Sequence, residues 1–70
     1  MTPVKSSNIS AIDYVGDGNE GLLTVAFNNG TVYAYQEVPD AVWQGLLQAD
    51  SKGSYLAKHI KDKYRFSRVV

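Results

Sequence analysis

The sequence contains no cysteine and only one histidine, His59. The lack of cysteine excludes disulfide bonds and thiolate-ligated metal sites. A single histidine completes a metal site only with the help of carboxylates, so we expect no metal and no cofactor. A chain of 70 residues buries only about 60% of its unfolded surface. Because no covalent staple supplements this small core, self-association is an open alternative.

The sequence also lacks long apolar runs. No stretch approaches the roughly 20 apolar residues that a membrane span requires. The first ten residues, "MTPVKSSNIS", lack the apolar core of a signal peptide. We therefore expect a cytoplasmic protein with no membrane partner, folded as a single domain over residues 1–70.

The charges are balanced overall but unevenly distributed along the chain. Residues 1–50 contain one lysine and six carboxylates, a net charge of −5. Residues 51–70 contain six cations and one carboxylate, a net charge of +5. Two interpretations stay open: the basic segment binds phosphate, or it faces the acidic half of its own chain or of a neighbouring subunit.

The hydrophobic pattern predicts an antiparallel three-stranded β-meander followed by two short helices, an α+β fold. The strands are predicted at 8–15, 22–27 and 31–38. The apolar residues of the first strand share no single period, which predicts either a bulge or a later strand start. The helices are predicted at 38–50 and 50–64. The stretch 64–70 is either a short C-terminal strand or an ordered tail.

The turn "NNG" (28–30) decides which side chains share a face of the sheet. A two-residue Asn29–Gly30 turn would place Phe27 and Tyr33 on opposite faces. A three-residue loop with Gly30 in the left-handed conformation instead pairs Val25 with Tyr33. We favour the three-residue loop because it gathers the large apolar side chains, Leu23, Val25, Phe27, Tyr33 and Tyr35, on one face.

Local signals define the helix ends. Pro39 suits a first helical turn, and the carboxylate of Asp40 is favourable there. Ser51 is a candidate N-cap of the second helix. Gly45 lies inside the first helix, at a cost of about 1 kcal/mol relative to alanine, which indicates that another group packs closely against it.

An ordered set of short motifs resembles the KTSC domain family, over roughly residues 6–64. This family is named for the C-terminal extension of some lysyl-tRNA synthetases and includes stand-alone members in bacteria and phages. Its Tyr-x-Tyr hallmark is matched by Tyr33 and Tyr35. The resemblance implies an association with RNA and no established catalytic activity. The motifs are "SSNI" (6–9), "LTVAF" (23–27), "YAY" (33–35), "SKGSY" (51–55) and "HIKDKY" (59–64).

The sequence carries no pattern typical of an active site. Ser6 or Ser7 could be combined with His59 and an aspartate as a catalytic triad. The sequence has neither a nucleophile-elbow glycine pattern nor a second base to support such a triad. We therefore expect a non-enzyme with no catalytic residues. The stretch "GDGNEG" (16–21) is too short for a calcium loop and is interpreted as a plain turn.

Binding is the more plausible role, because aromatic and basic residues alternate near the C-terminus. Aromatic rings stack on bases and cations hold phosphates, a combination suited to RNA or a nucleotide. The alternative is a protein-interaction or homo-oligomeric module, including a phage protein that sequesters a host protein or a signalling nucleotide. The candidate ligand-binding residues are Tyr33, Tyr35, Lys58, His59, Lys61, Lys63, Tyr64, Arg65, Phe66 and Arg68.

Tyr33 and Tyr35 allow two interpretations. They either form an open aromatic platform for a ligand or fill the core with only their hydroxyl tips accessible. The favoured register places them among large apolar groups, so we expect core rings with polar tips. A ring more than half exposed would contradict this expectation.

Overall fold

One antiparallel sheet, covered on one face by helices, organises the fold. The computed structural model describes residues 2–4 and 8–70. In these described ranges, five strands follow each other across the sheet in chain order. The elements are β1 (Thr2–Pro3), β2 (Ile9–Gly16), β3 (Glu20–Phe27), β4 (Val32–Pro39), α1 (Asp40–Gln48), α2 (Lys52–Tyr55), which continues as a π-helical turn (Leu56–Ile60), and β5 (Phe66–Arg68).

The predicted α+β class and its meander are confirmed by the three eight-residue strands β2, β3 and β4. The C-terminal strand also forms, because β5 pairs with β4 and places Phe66 opposite Tyr35. The sequence did not predict β1, whose two residues pair with Ala11 and Ile12 at the other edge of the sheet. A strand this short shows no alternation of apolar and polar residues.

The β3–β4 hairpin has the three-residue loop, and the two-residue alternative is wrong. The amide of Phe27 donates to the carbonyl of Thr31 at 2.8 Å, and the amide of Gly30 donates to the carbonyl of Phe27 at 3.0 Å. Gly30 has φ +91°, the left-handed conformation that glycine adopts without a β-carbon penalty. Val25 consequently pairs with Tyr33, as predicted.

Two bulges change which face of the sheet the following side chains occupy. The predicted bulge in β2 is present at Ser10, where the pairing shifts between Ile9 and Ala11. A second bulge, which the sequence did not predict, lies in β4, and Glu37 there has φ +55°. The extra residue turns Val38 back to the helix-covered face, where it is fully buried.

The core lies between the helix-covered face of the sheet and the helices. Tyr35 belongs to it, together with aliphatic side chains from the sheet and from α1, α2 and the π-helical turn. The remaining buried members of this cluster are Ile9, Ile12, Leu23, Val25, Val38, Leu46, Leu56 and Ile60.

The first helix starts one residue later than Pro39 suggested. Pro39 is extended, with ψ 147°, because it still pairs with Glu20 at the end of β4, and α1 begins at Asp40. Ser51 caps α2 as predicted, since its hydroxyl accepts the amide of Ser54 at 3.3 Å. Within the described residues, no helix is long and apolar enough to cross a bilayer.

The second helix ends at Ile60, four residues before the predicted end at residue 64. The amide of Lys61 donates to the carbonyl of Leu56 at 2.7 Å and closes the π-helical turn. Asp62 then adopts φ +66°, a left-handed conformation that ends helices. This early end releases the chain toward β5.

Candidate functional site

A pocket of about 390 Å³ opens between the β4–β5 edge of the sheet and the second helix. Its apolar wall comes from aromatic side chains of the sheet, and its polar groups come from the hairpin loop and from the helix end. We call it the aromatic pocket. It is lined by Asn8, Ile9, Phe27, Asn29, Thr31, Tyr33, Tyr35, Gly53, Leu56, Ala57, Lys61, Asp62 and Phe66.

A chain of four aromatic rings forms one wall of the aromatic pocket. Phe66 meets Tyr33 edge-on, with centroids 5.5 Å apart, and Tyr35 at 5.6 Å in a tilted arrangement. Phe27 meets the other side of Tyr33 at 5.6 Å, also edge-on. These are the separations and angles that aromatic pairs prefer, so the rings hold one another in fixed positions.

The two tyrosines and Phe66 differ in how exposed their rings are. Tyr35 is only 4% exposed and Tyr33 is half-buried, which confirms the interpretation of both rings as core elements. Phe66 is 51% exposed. The ring that is open to a ligand is therefore Phe66, which contacts both tyrosine rings.

The Tyr35 hydroxyl is held in its neutral form. Burial raises the pKa of Tyr35, and electrostatic interactions with Tyr33 and with the Asp62 carboxylate raise it further. A phenol in this state can donate a hydrogen bond at neutral pH. It is a polar group in a pocket wall that is otherwise mainly apolar.

The hairpin loop contributes an oriented amide to the aromatic pocket. The Oδ1 atom of Asn29 accepts both the amide of Thr31, at 3.1 Å, and the hydroxyl of Thr31, at 2.7 Å. Since its oxygen is engaged twice, the NH2 end of the Asn29 amide points away from Thr31. At the helix end, Lys61 adds an exposed ammonium group and Asp62 an exposed carboxylate.

Three of the predicted site residues lie in a different groove. Lys63, Tyr64 and Arg65 line a depression of about 350 Å³ together with Glu20, Gln36 and Glu37. The amide of Gln36 donates to the carbonyl of Arg65 at 2.7 Å, which fixes this segment beside β4. Here the basic segment faces carboxylates of the acidic half of its own chain.

The three remaining predicted site residues lie outside both depressions. Lys58 and His59 are exposed on the π-helical turn, and the His59 ring lies 4.5 Å from that of Tyr55. Arg68 is opposite Tyr33 in the sheet, and its Nε donates to the carbonyl of Val70 at 3.0 Å. The aromatic pocket therefore brings together Tyr33, Tyr35, Lys61 and Phe66 from the ten predicted residues.

The residues weighed for catalysis and calcium binding have other surroundings. Ser6 and Ser7 lie outside the described residues. Asp17 accepts the amides of Asn19 and Glu20, at 2.9 and 3.1 Å, and these bonds lower the pKa of its carboxyl. This is the plain turn that the sequence predicted. Among residues 2–4 and 8–70, no three His, Asp or Glu side chains cluster to hold a metal ion.

Sequence reasoning missed Asn29 and Asp62 as pocket residues. From the sequence, Asn29 was assigned to the turn alone. The signal available in the sequence was an amide side chain in the loop, two residues before the hydroxyl of Thr31. Asp62 stands alone among five neighbouring cations at 58–68, and that isolated carboxylate could have drawn attention. Its place in the pocket depends on where the helix ends, which the periodicity did not reveal.

The fold and pocket define a small α+β domain with an antiparallel meander, helices on one face and a ligand-sized aromatic cleft. Residues 5–64 match the KTSC domain, and the chain belongs to this family. A crystal structure of a KTSC domain protein from Yersinia pestis superimposes with a TM-score of 0.86 at 33% identity. The superposition covers 99% of this chain and 94% of the Yersinia chain.

Other relatives are of two kinds. A protein from Tsukamurella paurometabola is 40% identical over 65 residues, which are 93% of this chain and 94% of the relative. A lysine–tRNA ligase from Nostoc punctiforme is 43% identical over 47 residues, which are 67% of this chain and 8% of the ligase. The chain thus resembles both a protein of its own size and a small part of a tRNA-charging enzyme.

Proposed function

We propose that this protein is a non-enzymatic binding module that holds RNA or a nucleotide in the aromatic pocket. The observation that carries the proposal is the exposed ring of Phe66, which rests on Tyr33 and Tyr35 in a pocket that Lys61 also lines. A base stacks on the ring, and the ammonium group of Lys61 holds the phosphate.

The dimensions of the pocket suit a ligand of this size. Small-molecule sites usually enclose about 300–1,000 Å³ and combine apolar walls with a few placed polar groups. The aromatic pocket, at about 390 Å³, lies at the lower end of this range. It accommodates one base with its sugar and phosphate rather than a folded RNA, so a longer strand would insert one nucleotide at a time.

The relation to the tRNA ligase adds support for RNA. The Nostoc punctiforme ligase contains a region similar to this chain, and RNA is the substrate class that a tRNA ligase handles. A longer RNA strand would extend past the pocket onto exposed cations, for which Lys58, on the π-helical turn, and Arg68, on β5, are the candidates. Lys63 and Arg65 are less suitable because Glu20 and Glu37 share their groove.

Fluorescence anisotropy with a labelled single-stranded RNA octamer, and calorimetry with adenosine monophosphate, test the proposal. Phe66→Leu keeps an apolar side chain on the tyrosines and removes the stacking surface. We expect it to weaken binding about tenfold, within the roughly 1–3 kcal/mol of one stacked base. Lys61→Ala should weaken binding and flatten its dependence on salt, because one phosphate contact is lost.

Lys63→Ala is the matched control for Lys61→Ala. It removes the same charge two residues away, in the groove that Glu20 and Glu37 also line. We expect Lys63→Ala to bind nearly as well as the unmodified protein. Absence of binding at low salt, or equal losses in both lysine variants, would contradict the proposed site.

Self-association is a second candidate function, favoured by the exposed edge at β5. Among the residues that the structure describes, this strand pairs with β4 alone, and the residues that follow it, Val69 and Val70, are 59% and 66% exposed. A second copy could pair with this edge, as unprotected strands tend to do. Light scattering over a wide concentration range tests it, and a constant monomer mass would rule it out.

A further inference from the structure

We propose that Asp62 recognises the ribose of the bound nucleotide, so that the aromatic pocket selects ribonucleotides over deoxyribonucleotides. This inference rests on the proposed function and adds the sugar class of the ligand. It concerns a residue that the basic and aromatic pattern of the C-terminal segment did not single out.

Asp62 lines the same pocket as the two groups proposed to hold the ends of a nucleotide, and its charge acts on the buried Tyr35 hydroxyl. Asp62 follows Lys61 directly, and both line the pocket with Phe66. In a nucleotide the sugar connects the base to the phosphate. With the base on Phe66 and the phosphate on Lys61, we place the sugar beside Asp62, the chain neighbour of Lys61 in the pocket lining.

The chemistry of a carboxylate limits what it can contact there. Its two oxygens only accept hydrogen bonds, and it repels phosphate. It therefore faces a neutral part of the ligand that donates hydrogen bonds. The vicinal 2′ and 3′ hydroxyls of ribose offer two donors side by side, and acidic residues hold ribose in this way in dinucleotide-binding folds. A 2′-deoxy sugar has lost one donor.

The backbone at this position favours glycine over aspartate. Asp62 has φ +66°, a left-handed conformation that aspartate adopts more readily than most residues with a β-carbon and that glycine adopts at no steric cost. Glycine would end the helix at lower free energy. The Asp62→Gly variant is therefore expected to fold at least as well as the unmodified protein, which makes it a clean probe of the side chain.

The experiment compares adenosine 5′-monophosphate with its 2′-deoxy analogue, and an A8 RNA with an A8 DNA, by calorimetry and anisotropy. We expect the unmodified protein to bind the ribose form about tenfold more tightly, as for loss of a hydrogen bond to a charged group. In Asp62→Gly this ratio should fall to about one, through weaker binding of the ribose form. Asp62→Asn keeps an acceptor oxygen and should retain part of the preference.

The outcomes separate this inference from the proposed function. Equal binding of ribose and deoxyribose forms by the unmodified protein, or a ratio unchanged in Asp62→Gly, overturns the ribose assignment and leaves the aromatic pocket as the binding site. Selectivity for guanosine over adenosine monophosphate that disappears in Asp62→Gly, with no sugar preference, assigns Asp62 to the base and also overturns it. Absence of any binding overturns both proposals.

Comparison of the mononucleotide with the octamer shows whether a free nucleotide or an RNA strand is the tighter ligand.

Discussion

The hydroxyl of Tyr55 packs directly against the α-carbon of Gly45, and a β-carbon at Gly45 would overlap it. The contact joins α1 to α2 and explains why a glycine occupies the middle of a helix. Its neighbour Leu46 is fully buried in the core. The close approach thus fixes how the two helices lie over the sheet, and through them where the helix end at Lys61 meets the aromatic pocket.

We expect Gly45→Ala to destabilise the protein, although alanine favours helices by about 1 kcal/mol over glycine. The added methyl group would displace the ring of Tyr55, which is half-buried and contacts His59. Overpacking of this kind costs about 1–3 kcal/mol, so the net loss should be about 1 kcal/mol. Urea denaturation of the two proteins measures it.

A double-mutant cycle identifies the cause of that loss. Tyr55→Leu removes the hydroxyl and the outer ring atoms that meet the new methyl group. In this background, Gly45→Ala should become stabilising, because only the gain in helix propensity is left. A loss of the same size in both backgrounds would show that Tyr55 is not the obstacle.

Gly30 supports a second prediction, about the register of the hairpin. Apart from its two chain neighbours, no atom of the described residues lies within 4 Å of the place where a β-carbon would stand. The cost of Gly30→Ala is therefore a backbone cost, about 1–2 kcal/mol for a left-handed residue. Gly30→Asn should cost less, since asparagine tolerates this conformation. Thermal unfolding compares them, and equal losses would contradict the backbone explanation.

The hairpin could be predicted from sequence because its signals are local. Loop length and the glycine decide which residues pair, and the apolar pattern selects the face. The bulge at Glu37 and the helix end at Asp62 could not be predicted, because both use left-handed residues with side chains. Glutamate has no preference for this conformation, and aspartate adopts it only occasionally, so neither residue type alone identifies the position. Asp62 lines the aromatic pocket, so its part there was missed. The pocket residues recognised in advance were Tyr33, Tyr35, Lys61 and Phe66.

Glu37 supports a third prediction, which follows from its bulge. The residue is exposed with φ +55°, so its side chain adds strain and packs little. Glu37→Gly should stabilise the protein by about 0.5 kcal/mol, the difference between relieved strain and the greater chain entropy of glycine. Glu37→Ala is the control, because it removes the carboxylate and keeps the strain. An equal gain in both variants would indicate a charge effect instead.

Tyr14 supports a fourth prediction, since its ring joins the meander to the first helix. It stacks on Trp43 with centroids 5.2 Å apart and planes inclined by 10°. Its hydroxyl donates to the carbonyl of Val38 at 2.8 Å. Tyr14→Phe keeps the ring and should cost about 1 kcal/mol, the usual net value of one hydrogen bond. Tyr14→Leu, which also loses the stacking, should cost more, and denaturant midpoints rank the two.

Tyr35 makes stability depend on pH in the alkaline range. Its pKa in the folded protein is raised by burial, whereas in the unfolded chain it is near the ordinary value of about 10. Above that pH the unfolded chain loses the phenolic proton first, so the free energy of unfolding falls until the folded pKa is passed. Below about pH 10 the phenol is protonated in both the folded and the unfolded chain, so Tyr35 adds no pH dependence to the free energy of unfolding. Urea denaturation between pH 8 and 11 should show the advantage of the unmodified protein over Tyr35→Phe shrinking as pH rises, and a difference that stays constant across this range would contradict the buried, neutral phenol.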